Sequence, residues 1–163
     1  MSLTSEINTL ATEILELCRA KGFQIATAES CTGGLIAGAL TEIAGSSDVV
    51  DRGFVTYSNE AKHEMLGVRT EQISMHGAVS SPVASSMAEG AMKHSNAQLT
   101  VSVTGVAGPG GGTSQKPVGT VFIGTALEND RTLYQSYRFE GDRTSVRQQT
   151  VHAALSFLKN RLL

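Results

Sequence analysis

Short apolar runs alternate with amphipathic helical patterns along most of this chain. Such alternation predicts strands connected by helices, which gives a mostly parallel sheet with helices on both of its faces. Two late apolar runs have no helix between them, and the letters ENDR that join them predict a hairpin. We therefore expect an α/β fold, a three-layer α/β/α sandwich with a mixed, mostly parallel sheet.

Residues that favour the starts and ends of helices mark the predicted boundaries. Gly22 and Gly45 stand where the first two helices would end. Ser58 would cap a helix that runs to Leu66, and Asp142 would cap the last helix. The predicted strands are residues 23–28, 49–57, 99–104, 119–126 and 133–139, and the predicted helices begin near residues 7, 35, 58, 81 and 142.

Size and charge narrow the class of protein. The 163 residues, of which 40% are hydrophobic, suffice for a sizeable core, so we expect residues 1–163 to form a single domain. The formal net charge of −2 gives no general attraction to nucleic acid, and no helix-turn-helix pattern is present. We therefore expect no nucleic-acid partner.

Targeting and metal-binding patterns are also missing from the sequence. The first ten residues have neither a basic leader nor an apolar core, and the apolar runs are broken by polar residues, so we expect a cytoplasmic protein with no membrane partner. The four histidines lack metal-ligand spacing, and two cysteines are too few for a disulfide framework. We expect no metal and reduced thiols.

Three unusual polar segments, ESCTGG, TYSNEAK and TGVAGPGGG, each follow a predicted strand. In open α/β sheets, ligands bind beyond the carboxyl ends of the strands. The topology therefore predicts that these three segments converge on one site.

The first segment offers a nucleophile beside the start of a helix. Ser30, Cys31 and Thr32 lie where free backbone N–H groups favour an oxyanion or a phosphate, and Ser30 is our candidate nucleophile. The alternative is that Ser30 or Thr32 only caps the helix. Gly33 and Gly34 favour the functional interpretation, because each glycine in a first turn costs about 1 kcal/mol relative to alanine.

The second segment offers a base. Lys62 would lie in the first turn of a helix that starts at Ser58 or Asn59, where the helix dipole disfavours a cation and, with burial, lowers the lysine pKa. The alternative is an exposed surface lysine. Tyr57 could donate its hydroxyl to the same centre, or it is a half-buried strand aromatic.

The third segment and the last helix offer anion-binding groups. Thr104 and Gly105 open a glycine-rich loop that matches neither GxGxxG nor a P-loop, so it is either a phosphate cradle or a mobile surface loop. Arg143 and Arg147 stand four residues apart at a helix start, where both cations oppose the dipole. They would bind an anionic ligand, or pair with the acidic residues just before the helix.

The order of these motifs is similar to that of a known family. The segments TAESCTGG, GFVTYSNEAK, HGAVS, TGVAGPGGG, KPVGTV and GDRTSVR resemble the CinA C-terminal domain family from about Thr4 to Leu163. Longer family members carry an additional N-terminal domain, so the chain resembles the stand-alone form.

The resemblance implies an α/β/α amidohydrolase of pyridine nucleotide recycling. It would convert nicotinamide mononucleotide and water into nicotinate mononucleotide and ammonia, without metal or cofactor, and would form a homodimer. The family's nucleophilic serine, lysine and tyrosine fall on Ser30, Lys62 and Tyr57. Asn59, Thr104 and Gly105 are further substrate-binding candidates, with Thr32 and Gly34. The expected mechanism is a Ser–Lys acyl-enzyme route in which N–H groups near Cys31 to Gly33 stabilise the oxyanion.

Two alternatives to that mechanism remain at the level of the sequence. The first is a nucleotide-binding or regulatory module of the same fold that performs no chemistry. The second makes Cys31 the nucleophile, although no histidine lies close to it in sequence.

Overall fold

The predicted strands form one five-stranded sheet in the computed structural model, which describes residues 2–163. They are β1 (Ile25–Glu29), β2 (Val50–Val55), β3 (Leu99–Gly105), β4 (Thr120–Leu127) and β5 (Leu133–Arg138). The order across the sheet is β2-β1-β3-β4-β5. β1 is parallel to β2 and β3, whereas β4 is antiparallel to β3 and to β5, so four of the five strands run in one direction.

Helices cover both faces of this sheet. They are α1 (Leu3–Lys21), α2 (Leu35–Thr41), α3 (Asn59–Leu66), α4 (Thr70–His76), α5 (Ser81–Lys93) and α6 (Arg143–Leu162). α1, α2 and α6 pack against one another and share the larger apolar core with the sheet. α3, α4 and α5 pack together over a smaller apolar cluster that includes Ala28 of β1. The predicted three-layer α/β/α sandwich with a mixed sheet is confirmed.

The alternation of side chains along β3 shows how its two faces differ. Its apolar residues belong to the larger core, while its hydroxyl residues face α5. Thr100 donates a hydrogen bond of 2.7 Å to the carbonyl of Ala88, and Ser102 donates one of 2.5 Å to the carbonyl of Ala84. These bonds satisfy buried polar groups, and they tie α5 directly to the centre of the sheet.

Several predicted boundaries are wrong. α2 ends at Thr41 rather than near Gly45, because the chain turns there and enters a short 3₁₀ helix at Ser46–Asp48. β2 ends at Val55, so Tyr57 lies beyond the strand. α4 was not predicted; it has no buried residue and no side-chain cap, so the usual sequence signals are missing.

The helices of residues 2–163 include none with the length and apolar character needed to cross a membrane.

Candidate active site

The three polar segments lie around one cavity of about 200 Å³ at the carboxyl ends of β1 and β3. Its walls come from the β1–α2 turn, the start of α3, the turn before α5, the end of β3 and the start of α6. The lining residues are Ser30, Cys31, Tyr57, Asn59, Lys62, Ala78, Val79, Thr104, Gly105, Ala107 and Arg143.

Ser30 and Lys62 are in direct contact. Ser30 is the first residue after β1, and its Oγ lies 3.0 Å from Nζ of Lys62. The lysine is only 1% exposed, so the alternative of an exposed surface lysine is wrong. As the fourth residue of α3 it closes the predicted first turn, with its N–H bonded to the carbonyl of Ser58 at 3.2 Å. Burial lowers the pKa of the Lys62 ammonium below its ordinary value, because the charged form loses its hydration.

Two backbone carbonyls fix the orientation of the amine. Nζ of Lys62 donates to the carbonyl of Thr56 at 2.9 Å and, more weakly, to that of Tyr57 at 3.4 Å. When the amine is neutral, these two bonds use its two N–H groups and leave its lone pair for the hydroxyl hydrogen of Ser30. This arrangement can remove a proton from the serine.

The start of α2 is occupied by a buried acid, Glu29, the last residue of β1. One carboxylate oxygen accepts bonds from the Thr32 hydroxyl at 2.6 Å and from the N–H of Ile36 at 2.8 Å, and the other accepts from the N–H of Ala37 at 3.0 Å. The positive end of α2 is therefore neutralised from within the protein. The expectation that free N–H groups of this helix would receive an oxyanion is wrong for Ile36 and Ala37, and neither Ser30 nor Thr32 caps the helix directly.

Gly33 and Gly34 precede α2 rather than forming its first turn, so the predicted helix penalty does not apply. Their φ angles of 57° and 106° lie in the left-handed region, which favours glycine and lets the chain reverse after Ser30. The N–H of Gly33 donates to the carbonyl of Ser30 at 3.1 Å and is not free. Within residues 2–163 the N–H groups of Cys31, Thr32 and Gly34 donate to no backbone carbonyl, and of these three residues only Cys31 lines the cavity. The N–H of Cys31 is therefore the best-placed oxyanion candidate.

The two arginines of α6 have different contacts. Arg143 lines the cavity and donates to the carbonyl of Gly108 at 2.8 Å and to the hydroxyl of Tyr57 at 3.2 Å. Among the residues that the structure describes, neither arginine forms a salt bridge, so the predicted pairing with nearby acids is wrong. Arg143 alone faces the cavity, and it is the better placed of the two to meet an anionic ligand.

Arg147 contacts the nucleophile turn, which we define as Ser30–Gly34. Its Nε donates to the carbonyl of Cys31 at 3.1 Å and its Nη2 to the carbonyl of Thr32 at 3.2 Å. It is not among the residues that line the cavity.

Tyr57 is 62% exposed, so it is not a half-buried strand aromatic. Its hydroxyl is bonded to Arg143 rather than to Ser30 or Lys62. The expectation that this hydroxyl lies beside the serine oxygen is therefore not met in this conformation. Asn59, the first residue of α3, does line the cavity as predicted.

Thr104 and Gly105 line the cavity but have structural contacts. The Thr104 hydroxyl donates to the carbonyl of Ala78 at 2.9 Å and so holds the turn before α5. A Cβ at Gly105 would lie 2.8 Å from the carbonyl oxygen of Thr120, so the adjacent strand requires a glycine there. The glycine-rich loop that follows is exposed from residue 109 to 115, and its Gly108 carbonyl accepts the bond from Arg143.

Comparison with known proteins gives the family. The CinA C-terminal domain family matches residues 7–162. The chain belongs to this family. It is 47% identical over 159 residues to the nicotinamide-nucleotide amidohydrolase PncC of Escherichia coli strain K12, covering 98% of this chain and 96% of that protein. It is 49% identical to the protein of the same name from Enterobacter agglomerans, covering 94% and 97%.

Solved structures agree with this CinA assignment. The crystal structure of the competence/damage inducible protein CihA from Agrobacterium tumefaciens superposes with a TM-score of 0.93 at 52% identity, covering 95% of this chain and 94% of that one.

The CinA-like protein of Syntrophobacter fumaroxidans is 50% identical over 143 residues, but these make up only 34% of that longer protein.

The thiol of Cys31 is a poor nucleophile in this CinA domain. Cys31 is only 6% exposed, and this burial raises the pKa of its thiol to about 11. The reactive thiolate is therefore scarce at neutral pH. Within residues 2–163, no group of three or more His, Cys, Asp or Glu side chains could hold a metal ion.

Several residues around the CinA site were not predicted from the sequence. Thr56 holds the lysine through its carbonyl, Glu29 holds the start of α2, and Ala78, Val79 and Ala107 line the cavity. An acid at the end of a strand made mostly of apolar residues is the available signal for Glu29. The small apolar residues carry no such signal, because their position depends on how the turns fold.

Proposed function

We propose that the chain is a nicotinamide mononucleotide deamidase. It hydrolyses the carboxamide to give nicotinate mononucleotide and ammonia. The observation that carries the proposal is the 3.0 Å contact between Ser30 Oγ and Nζ of the buried Lys62 inside the cavity. The names of the two PncC relatives, which match nearly the whole chain, support the choice of a nicotinamide nucleotide as substrate.

Acylation uses the serine and the lysine together. Neutral Lys62 accepts the hydroxyl proton while Ser30 Oγ forms a bond to the carboxamide carbon. The negative charge moves to the carboxamide oxygen, where the free N–H groups of Cys31 and Thr32 are the available donors. The Lys62 ammonium then gives its proton to the amide nitrogen, the C–N bond breaks, and ammonia leaves.

Deacylation reverses these roles with water as the nucleophile. Neutral Lys62 accepts a proton from water as the hydroxyl attacks the acyl carbon. The tetrahedral intermediate then breaks its C–O bond to Ser30 Oγ. The serine oxygen takes the proton back from Lys62, and nicotinate mononucleotide is released. A lysine suits both steps because burial lowers its pKa toward the working pH.

The substrate phosphate would be bound by Arg143. This residue lines the same cavity as Ser30, its guanidinium is partly exposed, and its present partners are a neutral carbonyl and a neutral hydroxyl. A phosphate is a stronger acceptor for a guanidinium than either of them. N–H groups of the exposed glycine-rich loop can add to this contact. Tyr57, released from Arg143, would then be free to turn toward the reacting centre.

The proposal extends to the organisation of the protein. Residues 1–163 would act as one amidohydrolase domain in the cytoplasm, with no nucleic-acid or membrane partner, and would associate as a homodimer.

Ammonia release from nicotinamide mononucleotide tests the function. The purified chain is expected to form nicotinate mononucleotide and ammonia in equal amounts, and Ser30→Ala is the matched control that removes only the attacking oxygen. A wild-type chain that binds the nucleotide without releasing ammonia would be a binding or regulatory module instead. Equal ammonia release by folded Ser30→Ala would exclude the serine mechanism.

A further inference from the structure

Among residues 2–163, Arg147 donates hydrogen bonds only to backbone oxygens of the nucleophile turn. Its Nε and Nη2 atoms donate to two consecutive carbonyls, those of Cys31 and Thr32, and it does not line the cavity. Arg143, one helical turn earlier on α6, reaches the cavity itself. The two arginines therefore contact different parts of the site.

The nucleophile turn needs external support because its own backbone is permissive. Gly33 and Gly34 follow one another in left-handed conformations, and glycine has many alternative conformations of similar energy. Glu29 holds the α2 side of the turn through the Thr32 hydroxyl and the helix N–H groups. Arg147 holds the opposite side, where α6 passes the turn.

Peptide geometry transmits the effect of Arg147 to the N–H groups. In a trans peptide the C=O and the N–H point in opposite directions, so each carbonyl held by Arg147 directs the next residue's N–H away from α6. The Thr32–Gly33 peptide follows this rule, since the N–H of Gly33 donates to the carbonyl of Ser30 at 3.1 Å. The Cys31–Thr32 peptide leaves the N–H of Thr32 without an acceptor in residues 2–163.

We infer that Arg147 is a positioning residue that holds the Cys31–Thr32 segment of the nucleophile turn in place, so that the unpaired N–H groups of this segment serve the oxyanion formed at Ser30. The inference rests on the proposed deamidation. It assigns Arg147 to the rate of the chemical step and leaves phosphate recognition to Arg143. The guanidinium acts through its two-pronged contact with neighbouring carbonyls, which the single ammonium of a lysine cannot reproduce.

Three alanine variants separate this role from phosphate binding and from simple stabilisation. Arg147→Ala is expected to lower kcat about 100-fold, the typical loss when one oxyanion donor is removed, with KM changed by less than about threefold. Arg143→Ala is expected to raise KM instead. Arg161→Ala is the matched control, because Arg161 is also a half-buried arginine of α6 that donates to backbone carbonyls, those of Thr125 and Arg131, but away from the cavity. It should lower the melting temperature and leave kcat within about twofold.

Chemical rescue distinguishes positioning from a general loss of structure. Millimolar guanidinium ion should restore part of the kcat of Arg147→Ala by occupying the vacated space, whereas ammonium ion should not, and neither ion should help Arg161→Ala. A kcat of Arg147→Ala equal to wild type, a rise in KM like that of Arg143→Ala, or equal rescue by ammonium would overturn the inference.

A probe of Ser30 keeps the inference testable apart from deamidation. A fluorophosphonate forms an Oγ–P bond to an activated serine and releases fluoride, and intact-mass measurement gives the rate. Arg147→Ala should react at least about tenfold more slowly than wild type and Arg161→Ala should not, even if wild type releases no ammonia from the nucleotide. Equal labelling rates for wild type and Arg147→Ala would refute the positioning role. If wild type releases no ammonia but is still labelled faster than Arg147→Ala, only the proposed substrate is refuted.

Discussion

The hydroxyl of Tyr57 accepts a hydrogen bond of 3.2 Å from Arg143, a residue 86 positions later in the chain. Both residues line the cavity that contains Ser30 and Lys62. A phosphate bound by Arg143 would compete with this bond, so phosphate recognition and the freedom of Tyr57 are linked.

Removal of the Arg143 guanidinium should weaken binding of the phosphorylated substrate selectively. Arg143→Ala is expected to raise KM for nicotinamide mononucleotide at least tenfold and to change KM for nicotinamide riboside much less, because only the mononucleotide offers a phosphate. Steady-state ammonia release with both substrates measures this. Arg69→Ala, on the exposed start of α4, is the control, and equal losses on both substrates would contradict the assignment.

Ser30 and Lys62 should behave as one catalytic unit. Ser30→Ala and Lys62→Ala are each expected to abolish most deamidation, and the double variant should be little worse than either, because both groups serve the same step. Lys62→Arg should also be inactive, since arginine stays protonated at any working pH. Circular dichroism checks the fold of each variant. Additive losses, or a fully active Lys62→Arg, would rule out the shared step.

The lowered pKa of Lys62 should appear in both activity and stability. The rate constant kcat/KM should rise with pH through an ionisation below the ordinary lysine value of about 10.4. Between these two pKa values the unfolded chain binds more protons than the native one, so the free energy of unfolding rises with pH. The free energy of unfolding, measured with urea, should therefore increase with pH through this window for wild type relative to Lys62→Met. A pH-independent difference would mean that the buried amine has an ordinary pKa.

Glu29 should affect both the stability of the fold and the rate. In Glu29→Gln the side chain keeps its size but presents an NH₂ group to one of three buried donors, so the free energy of unfolding should fall by about 1–3 kcal/mol. The rate kcat should fall more than KM rises, because the displaced turn carries Ser30. Glu42→Gln, at the exposed end of α2, is the matched control. Unchanged urea unfolding of Glu29→Gln would show that the cap is unimportant.

The thiol of Cys31 should be dispensable. Cys31→Ala keeps the backbone N–H and is expected to retain activity within about tenfold, a loss of at most roughly 1.4 kcal/mol of transition-state stabilisation. Ammonia release at several substrate concentrations measures this. A folded but inactive Cys31→Ala would restore the thiol as a candidate nucleophile.

The layers of the fold could be predicted because each long element carries its own periodic signal. The short helix α4 could not be predicted, because it buries no residue. The end of α2 could not be predicted either, because no glycine or proline marks the turn at Thr41. The segments around the cavity were found because their polar residues follow apolar strands.

The different contacts of the two arginines could not be predicted from the sequence. Arg143 and Arg147 have the same type and the same helix face, and only the position of α6 beside the nucleophile turn gives them different partners. Burial of Lys62 depended likewise on how α3 lies against the sheet. Such properties arise from contacts between residues far apart in the chain, which local patterns do not record.

The cavity takes residues from both helical layers, and the latest of these comes from α6. During synthesis, Ser30 and Lys62 emerge from the ribosome long before Arg143 and Arg147, so an unfinished chain has the nucleophile and its base without the residues contributed by α6. Docking of the last helix would then act as a maturation step. A chain without α6 also lacks that helix's part of the larger apolar core, so full activity would report that the whole fold is complete.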